Sequence, residues 1–87
     1  MIDKNLDPIY GCVQGGHAVA QYLIEHKNGW KNQYLIYLHA DIEKWFDKLK
    51  NLGLDFSVFM EPDICNKMTS IAIESDGKLF KNLKLVK

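Results

Sequence analysis

DPIYGCVQGGHAVAQYLIEH, residues 7–26, decides the fold, because its spacing is that of one helix with two distinct sides. At about 100° per residue, Ile9, Cys12, Val13, Gly16, Val19, Ala20, Leu23 and Ile24 share one broad apolar side, the pattern of a helix lying on a sheet. Tyr10, Gln14, His17 and Gln21 are spaced four, three and four residues apart and form a narrow polar strip beside it. The apolar side is expected to be core, and the strip is the candidate site. Asp7 is placed to accept from the N–H groups of the first turn, and Pro8 suits the first helical position, where its missing N–H costs nothing. Inside a helix Gly15 and Gly16 each cost roughly 1 kcal/mol relative to Ala. Gly16 is expected to let the helix approach the sheet closely, and Gly15 to point away from the core, where a ligand would approach it.

Beyond this helix, residues 32–39 read as a strand whose nearly continuous run Tyr34, Leu35, Ile36, Tyr37, Leu38 implies burial on both faces. Asp41 caps a second helix with Ile42, Trp45, Phe46, Leu49 and Leu52 as its apolar stripe, and Gly53 stops it. Residues 56–60 form a second buried strand that ends at the turn Glu61-Pro62-Asp63. Residues 69–74 form a third, followed by a turn signal at Asp76-Gly77. Residues 78–83 read as a short helix ending in a short extended piece. Helix, strand, helix, strand, strand gives a layered α/β sheet, with a right-handed crossover between the first two strands if they are parallel. Ligands in such sheets collect beyond the carboxyl ends of parallel strands, near helix N-termini. Glu61, Asp63 and the start of the first helix are expected to meet there.

Eighty-seven residues make one domain. Eleven Lys and Arg against eleven Asp and Glu exclude a strongly basic nucleic-acid module and give no membrane-surface signal. Lys67, Lys78, Lys81, Lys84 and Lys87 offer a local patch for phosphates, or simply a solvated face. Cys12 and Cys65 fit neither a metal spacing nor a disulfide framework, and read as a core residue and a loop residue. No metal or organic cofactor is called for. Without a leader or an apolar run long enough to span a bilayer, the expectation is a cytoplasmic protein with no membrane partner.

Two short motifs carry a resemblance. Gln14-Gly15-Gly16-His17-Ala18 matches the Q-x-x-H-A signature on the first helix of type II peptidyl-tRNA hydrolases, and Thr69-Ser70-Ile71-Ala72-Ile73 resembles the T-x-L-A-I strand near their end. The order of elements from Leu6 onward is similar to that family's as well. The resemblance implies one domain over residues 1–87, a three-layer α/β/α fold with a small mixed sheet of three to four strands, and a homodimer. The activity it implies is hydrolysis of the ester between a peptide and its tRNA, with tRNA or a nucleotide-like molecule as ligand. The first strand of the family is truncated here to Met1 and Ile2, and its missing length would expose unpaired edges. Either the tail or a partner chain must cover them, or the sheet is smaller. Tyr10 stands where the family has a lysine, and EPDICNKM (residues 61–68) replaces its D-A-G-x-T loop, so either Glu61 or Asp63 corresponds to its aspartate.

The candidate catalytic residues are His17, Gln14, Asp63, Glu61 and Thr69, each with a plainer reading beside it. His17 can accept and return a proton near working pH, or be a half-buried histidine bonded to a carbonyl. Gln14 can orient a water or a carbonyl through its amide, or be solvated. Glu61 or Asp63 can position His17 or polarise a water, or only form a turn. Thr69 can donate to a developing oxyanion, or merely open a strand. Tyr10, Lys67, Lys78 and Lys81 are the candidate RNA contacts. Trp45 and Phe46 are core by spacing, which leaves Tyr22 and Trp30 as surface aromatics for stacking. The alternative function is a non-catalytic module of the same fold that sequesters RNA, a small nucleotide or a protein partner; a third reading is self-association alone.

Overall fold

The computed structural model describes residues 1–26, 35–75 and 77–86. Its elements are β1 (Ile2–Asp3), α1 (Pro8–Glu25), β2 (His39–Ala40), α2 (Ile42–Asn51), β3 (Ser57–Glu61) and β4 (Lys67–Ala72), with 3-10 turns at Pro62–Ile64 and Lys78–Phe80. Both helices start on an aspartate. Asp7 accepts from the N–H groups of Ile9 at 2.9 Å and Tyr10 at 3.3 Å, and Asp41 accepts from that of Lys44 at 3.3 Å. Gly53, with φ +71°, takes the left-handed position just past α2.

The strands form one mixed sheet in the order β2-β1-β4-β3. β1 is parallel to β2 and antiparallel to β4, and β3 pairs antiparallel with β4. Side chains alternate across β4: Ile71 joins Met1, Ala40, Ile42, Leu49 and Phe80 on the α2 side, whereas Ala72 meets Ala18 and Tyr22 of α1. The sheet therefore lies between the two helices in three layers, with four strands of which β1 and β2 have two residues each. β3 and β4 occupy residues 57–61 and 67–72 rather than the expected 56–60 and 69–74.

β1 has two residues and yet is central. The Met1 amine donates to the Ile71 carbonyl at 2.7 Å, the Ile71 N–H donates back to the Met1 carbonyl at 2.9 Å, and the Ile2 N–H donates to the Leu38 carbonyl at 2.8 Å. Burial lowers the pKa of that amine from 8.0 to about 6. The tail covers the outer edge of β2: the His39 N–H donates to the Lys84 carbonyl, the Val86 N–H to the Tyr37 carbonyl, and Leu38 bridges Leu85. Met1 also lines an open space at the sheet. A cavity of about 430 Å³ lies there between residues 35–38 and 71–75, with Gly15 and Val19 on one side and Phe80 and Leu83 on the other.

That opening corrects one expectation. Leu35 and Ile36 are exposed rather than buried on both faces, because the pairing of β1 with β2 begins only at Ile2 opposite His39. Residues 32–34, Trp30 and Asp76 lie outside the described residues, so the expected strand over 32–34 and the turn at Asp76 are not described. Among the described residues, no helix is long and apolar enough to cross a membrane.

The second correction concerns which side of α1 is core. The buried residues are Gly11, Gln14, Gly15, Ala18 and Tyr22, so the helix is turned well away from its apolar stripe. Ile9 is 81% exposed, Ile24 76%, Val13 53% and Leu23 46%. Two glycines explain the choice. A Cβ on Gly11 would stand 2.6 Å from Ile2 Cδ1, and one on Gly15 would stand 2.6 Å from Tyr37 Cε1, so the helix can lie this close to the sheet only where both lack side chains. The expected roles of Gly15 and Gly16 are thus reversed: Gly15 is packed and Gly16 is exposed, with only the Tyr37 hydroxyl near its Cβ position. Tyr22, expected at the surface, is buried.

Candidate functional site

Turning α1 onto its glycines carries the polar strip against the β3–β4 hairpin. On β3, Ser57, Phe59 and Glu61 alternate with Val58 and Met60, as strand geometry requires. These three meet α1 in register: the Ser57 hydroxyl donates to Glu25, the Phe59 ring lies under His17, and the Glu61 charge lies near Tyr10. Glu25 also accepts from the Gln21 amide at 2.9 Å, and the hydrogen bonds from Ser57 and Gln21 hold its carboxyl below the ordinary value.

Gln14 is the centre of the arrangement. It is 2% exposed, and its Oε1 accepts from the Thr69 hydroxyl at 3.0 Å. Its main-chain carbonyl accepts from the Ser70 hydroxyl at 2.7 Å. Two successive strand residues ordinarily point to opposite faces, so both can reach α1 only through a break in the pleat. The pairing register supplies one. Phe59 is opposite Ser70 and Met60 is opposite Met68, which leaves Thr69 as the extra residue of a β-bulge. The bulge turns the Thr69 side chain to the α1 face, and its hydroxyl also lies 3.4 Å from the Phe59 carbonyl. On the other side of the Gln14 amide, Nε2 makes no hydrogen bond among the described residues. A donor is thereby held in a fixed position with capacity to spare.

His17 lies one turn further along the same strip. It is exposed, and its ring stacks on Phe59 with centroids 4.6 Å apart and planes 16° from parallel. The stack fixes the ring plane and leaves both nitrogens to solvent or substrate; among the described residues neither one is hydrogen-bonded to a carboxylate or a carbonyl. At the N-terminal end of the strip, the Tyr10 hydroxyl is raised above its usual pKa by partial burial and then by the charges of Glu61 and Asp63. Glu61 is buried and Asp63 exposed, and Glu61 Oε1 accepts from the Asp63 N–H at 3.2 Å, closing the turn it was expected to form.

The structure therefore brings Gln14, Thr69 and His17 onto one short stretch of α1 and β4, with Glu61 and Asp63 around Tyr10 at its end. It does not bring the candidate RNA contacts together. Lys67 starts β4 and pairs with Asp3 at 3.2 Å. Lys78 and Lys81 belong to the turn and tail after the other end of β4, about 20 Å away at strand rise. Cys12 and Cys65 are both free thiols, half-buried and exposed. Among the described residues no cluster of three His, Cys, Asp or Glu side chains is close enough to hold a metal ion. Ser70, Phe59 and Ser57 take part in the site without having been picked out from the sequence. Ser70 carried the one available signal, a second hydroxyl beside Thr69 in an otherwise apolar strand. No family model, no curated protein and no solved structure matches the chain.

Proposed function

We propose that the protein hydrolyses the ester between a peptide and its tRNA, in the cytoplasm, as a homodimer, with His17 as the general base and Gln14 as the carbonyl donor. The observation that carries the reading is the buried Gln14–Thr69 hydrogen bond. It joins the two motifs behind the resemblance and leaves an amide donor beside an accessible imidazole. In this mechanism neutral His17 takes a proton from water, and the oxygen attacks the ester carbonyl. Gln14 Nε2 donates to the oxygen on which negative charge develops. The ribose oxygen then leaves with the proton returned by His17. Thr69 does not touch substrate in this scheme; it orients the Gln14 amide. Glu61 and Asp63 lie at the Tyr10 end of the strip, where their charge disfavours a phosphate, so the polynucleotide lies away from Tyr10.

The test is release of an N-blocked amino acid from its tRNA by the purified protein beside folded His17→Ala and Gln14→Ala variants. Turnover that falls at least tenfold in His17→Ala, about 1.4 kcal/mol of barrier lowering, supports the hydrolase. Absence of turnover by the folded parent rejects it. The second reading, a binding module that sequesters an RNA end, is favoured by one observation: Tyr10, beside Glu61 and Asp63, stands where the family it resembles has a lysine to serve transition-state charge. In that case tRNA binding persists without turnover and weakens steeply with salt.

A further inference from the structure

Self-association requires a surface, and we infer that the outward side of α1 is where a second copy of this chain packs, in an antiparallel helix pair about a two-fold axis near Gly16. The side turned away from the sheet carries Ile9, Val13, Gly16, Ala20 and Leu23, spaced four, three, four and three residues apart. That is the 3.5-residue seam along which helices pair, and it holds no charged residue. Four of its large side chains, counting the flanking Ile24, are 46–81% exposed.

Three features point to a copy of the same chain. The first is symmetry of size. Gly16 stands at mid-seam with Ile9 seven residues before it and Leu23 seven after, so a two-fold axis there sets each large residue beside the other's partner. The small Gly16 and Ala20 allow close approach, and this self-matching is what an isologous contact needs. The second is area. An 18-residue helix is about 27 Å long and 10–12 Å across with side chains, so half of its lateral surface is roughly 450 Å². Two such patches come to roughly 900 Å², the size of a weak contact that dissociates on dilution. The third is neutrality. A seam without charge neither repels its own copy nor selects a charged partner.

The experiment uses the whole chain. Sedimentation velocity across a wide dilution range is expected to show a dimer that dissociates on dilution. Val13→Glu, at an exposed position, is expected to leave the thermal melt of the dilute protein unchanged and to weaken the dimer at least tenfold, about 1.4 kcal/mol. Gly16→Cys in a Cys12→Ser, Cys65→Ser background is expected to form a disulfide-linked dimer on mild oxidation, whereas Asp47→Cys on the outer side of α2 does not. A monomer at every concentration overturns the inference. So does a dimer that Val13→Glu leaves intact, or one that cross-links no better at position 16 than at 47.

Discussion

α1 and α2 cover opposite faces of one sheet by opposite means. α2 presses large side chains onto it: Ile42 and Leu49 are buried, Trp45 tilts against Phe80 at 5.3 Å, and Phe46 meets Phe56 edge-on at 5.6 Å. α1 contributes mainly the absence of side chains. Gly11, Gly15 and Ala18 let the sheet come close, Gln14 is held by two hydroxyls, and the residues with most apolar surface point outward. A helix held by bulk is held through dispersion and burial. One held by close approach needs its polar groups satisfied, because main chain and amide are buried with it. The polar site lies on the second kind of contact, where hydrogen-bonding groups are already present at the sheet surface.

This contrast can be broken most sharply by truncation. Leu49→Ala is expected to cost about 2–5 kcal/mol, whereas Ile9→Ala, measured in dilute protein by urea unfolding, is expected to cost no more than about 0.5 kcal/mol. A comparable loss at both positions would mean that the outer side of α1 is buried within one chain. Gly15→Ala is expected to cost about 1–3 kcal/mol through overpacking against Tyr37, while Gly16→Ala in dilute protein stabilises α1 by up to about 1 kcal/mol. Equal effects at the two glycines would undo the assignment of the packed side. Gln14→Leu is expected to cost about 1–3 kcal/mol by stranding the Thr69 hydroxyl, and Gln14→Leu with Thr69→Val to cost less than the two single changes summed. The smallest effect tests what the helices share. Asp7→Ala and Asp41→Ala should each cost about 1 kcal/mol in thermal unfolding, since both remove a cap.

The same contrast sets how far the chain could be read. α2 was legible because its stripe is its contact: Ile42, Trp45, Phe46 and Leu49 all lie on the core, and only Leu52, at the C-cap, is 54% exposed. The extent of α1 was legible from Asp7 and Pro8, but its orientation was not. Hydrophobic periodicity locates the side with most apolar surface, and the packed side here is the one with least. Gln14, His17, Glu61, Asp63 and Thr69 could be chosen by residue type, and the helical spacing of Tyr10, Gln14 and His17 placed those three on one strip. The bulge at Thr69 could not be foreseen, since one unpaired residue leaves no mark in composition. Lys67, Lys78 and Lys81 looked like one group, and strand length separates them.

The Met1 amine, lodged against the Ile71 carbonyl, makes the fold a proton-linked equilibrium. Its pKa is about 6 in the folded chain and 8.0 as the ordinary value. Between pH 8 and pH 6 the unfolded chain takes up a proton that the folded chain does not, so stability falls as the solution is acidified across that window. At about 1.4 kcal/mol per pH unit of displacement, the loss approaches roughly 2–3 kcal/mol and then levels off, because below pH 6 both states carry the proton. Acetylating the amine removes that charge and flattens the dependence. Residues joined ahead of Met1 do the same, and Met1 lines the cavity between residues 35–38 and 71–75 that they would meet. For this molecule, the chemistry of a tag at the amino end becomes part of the thermodynamics being measured.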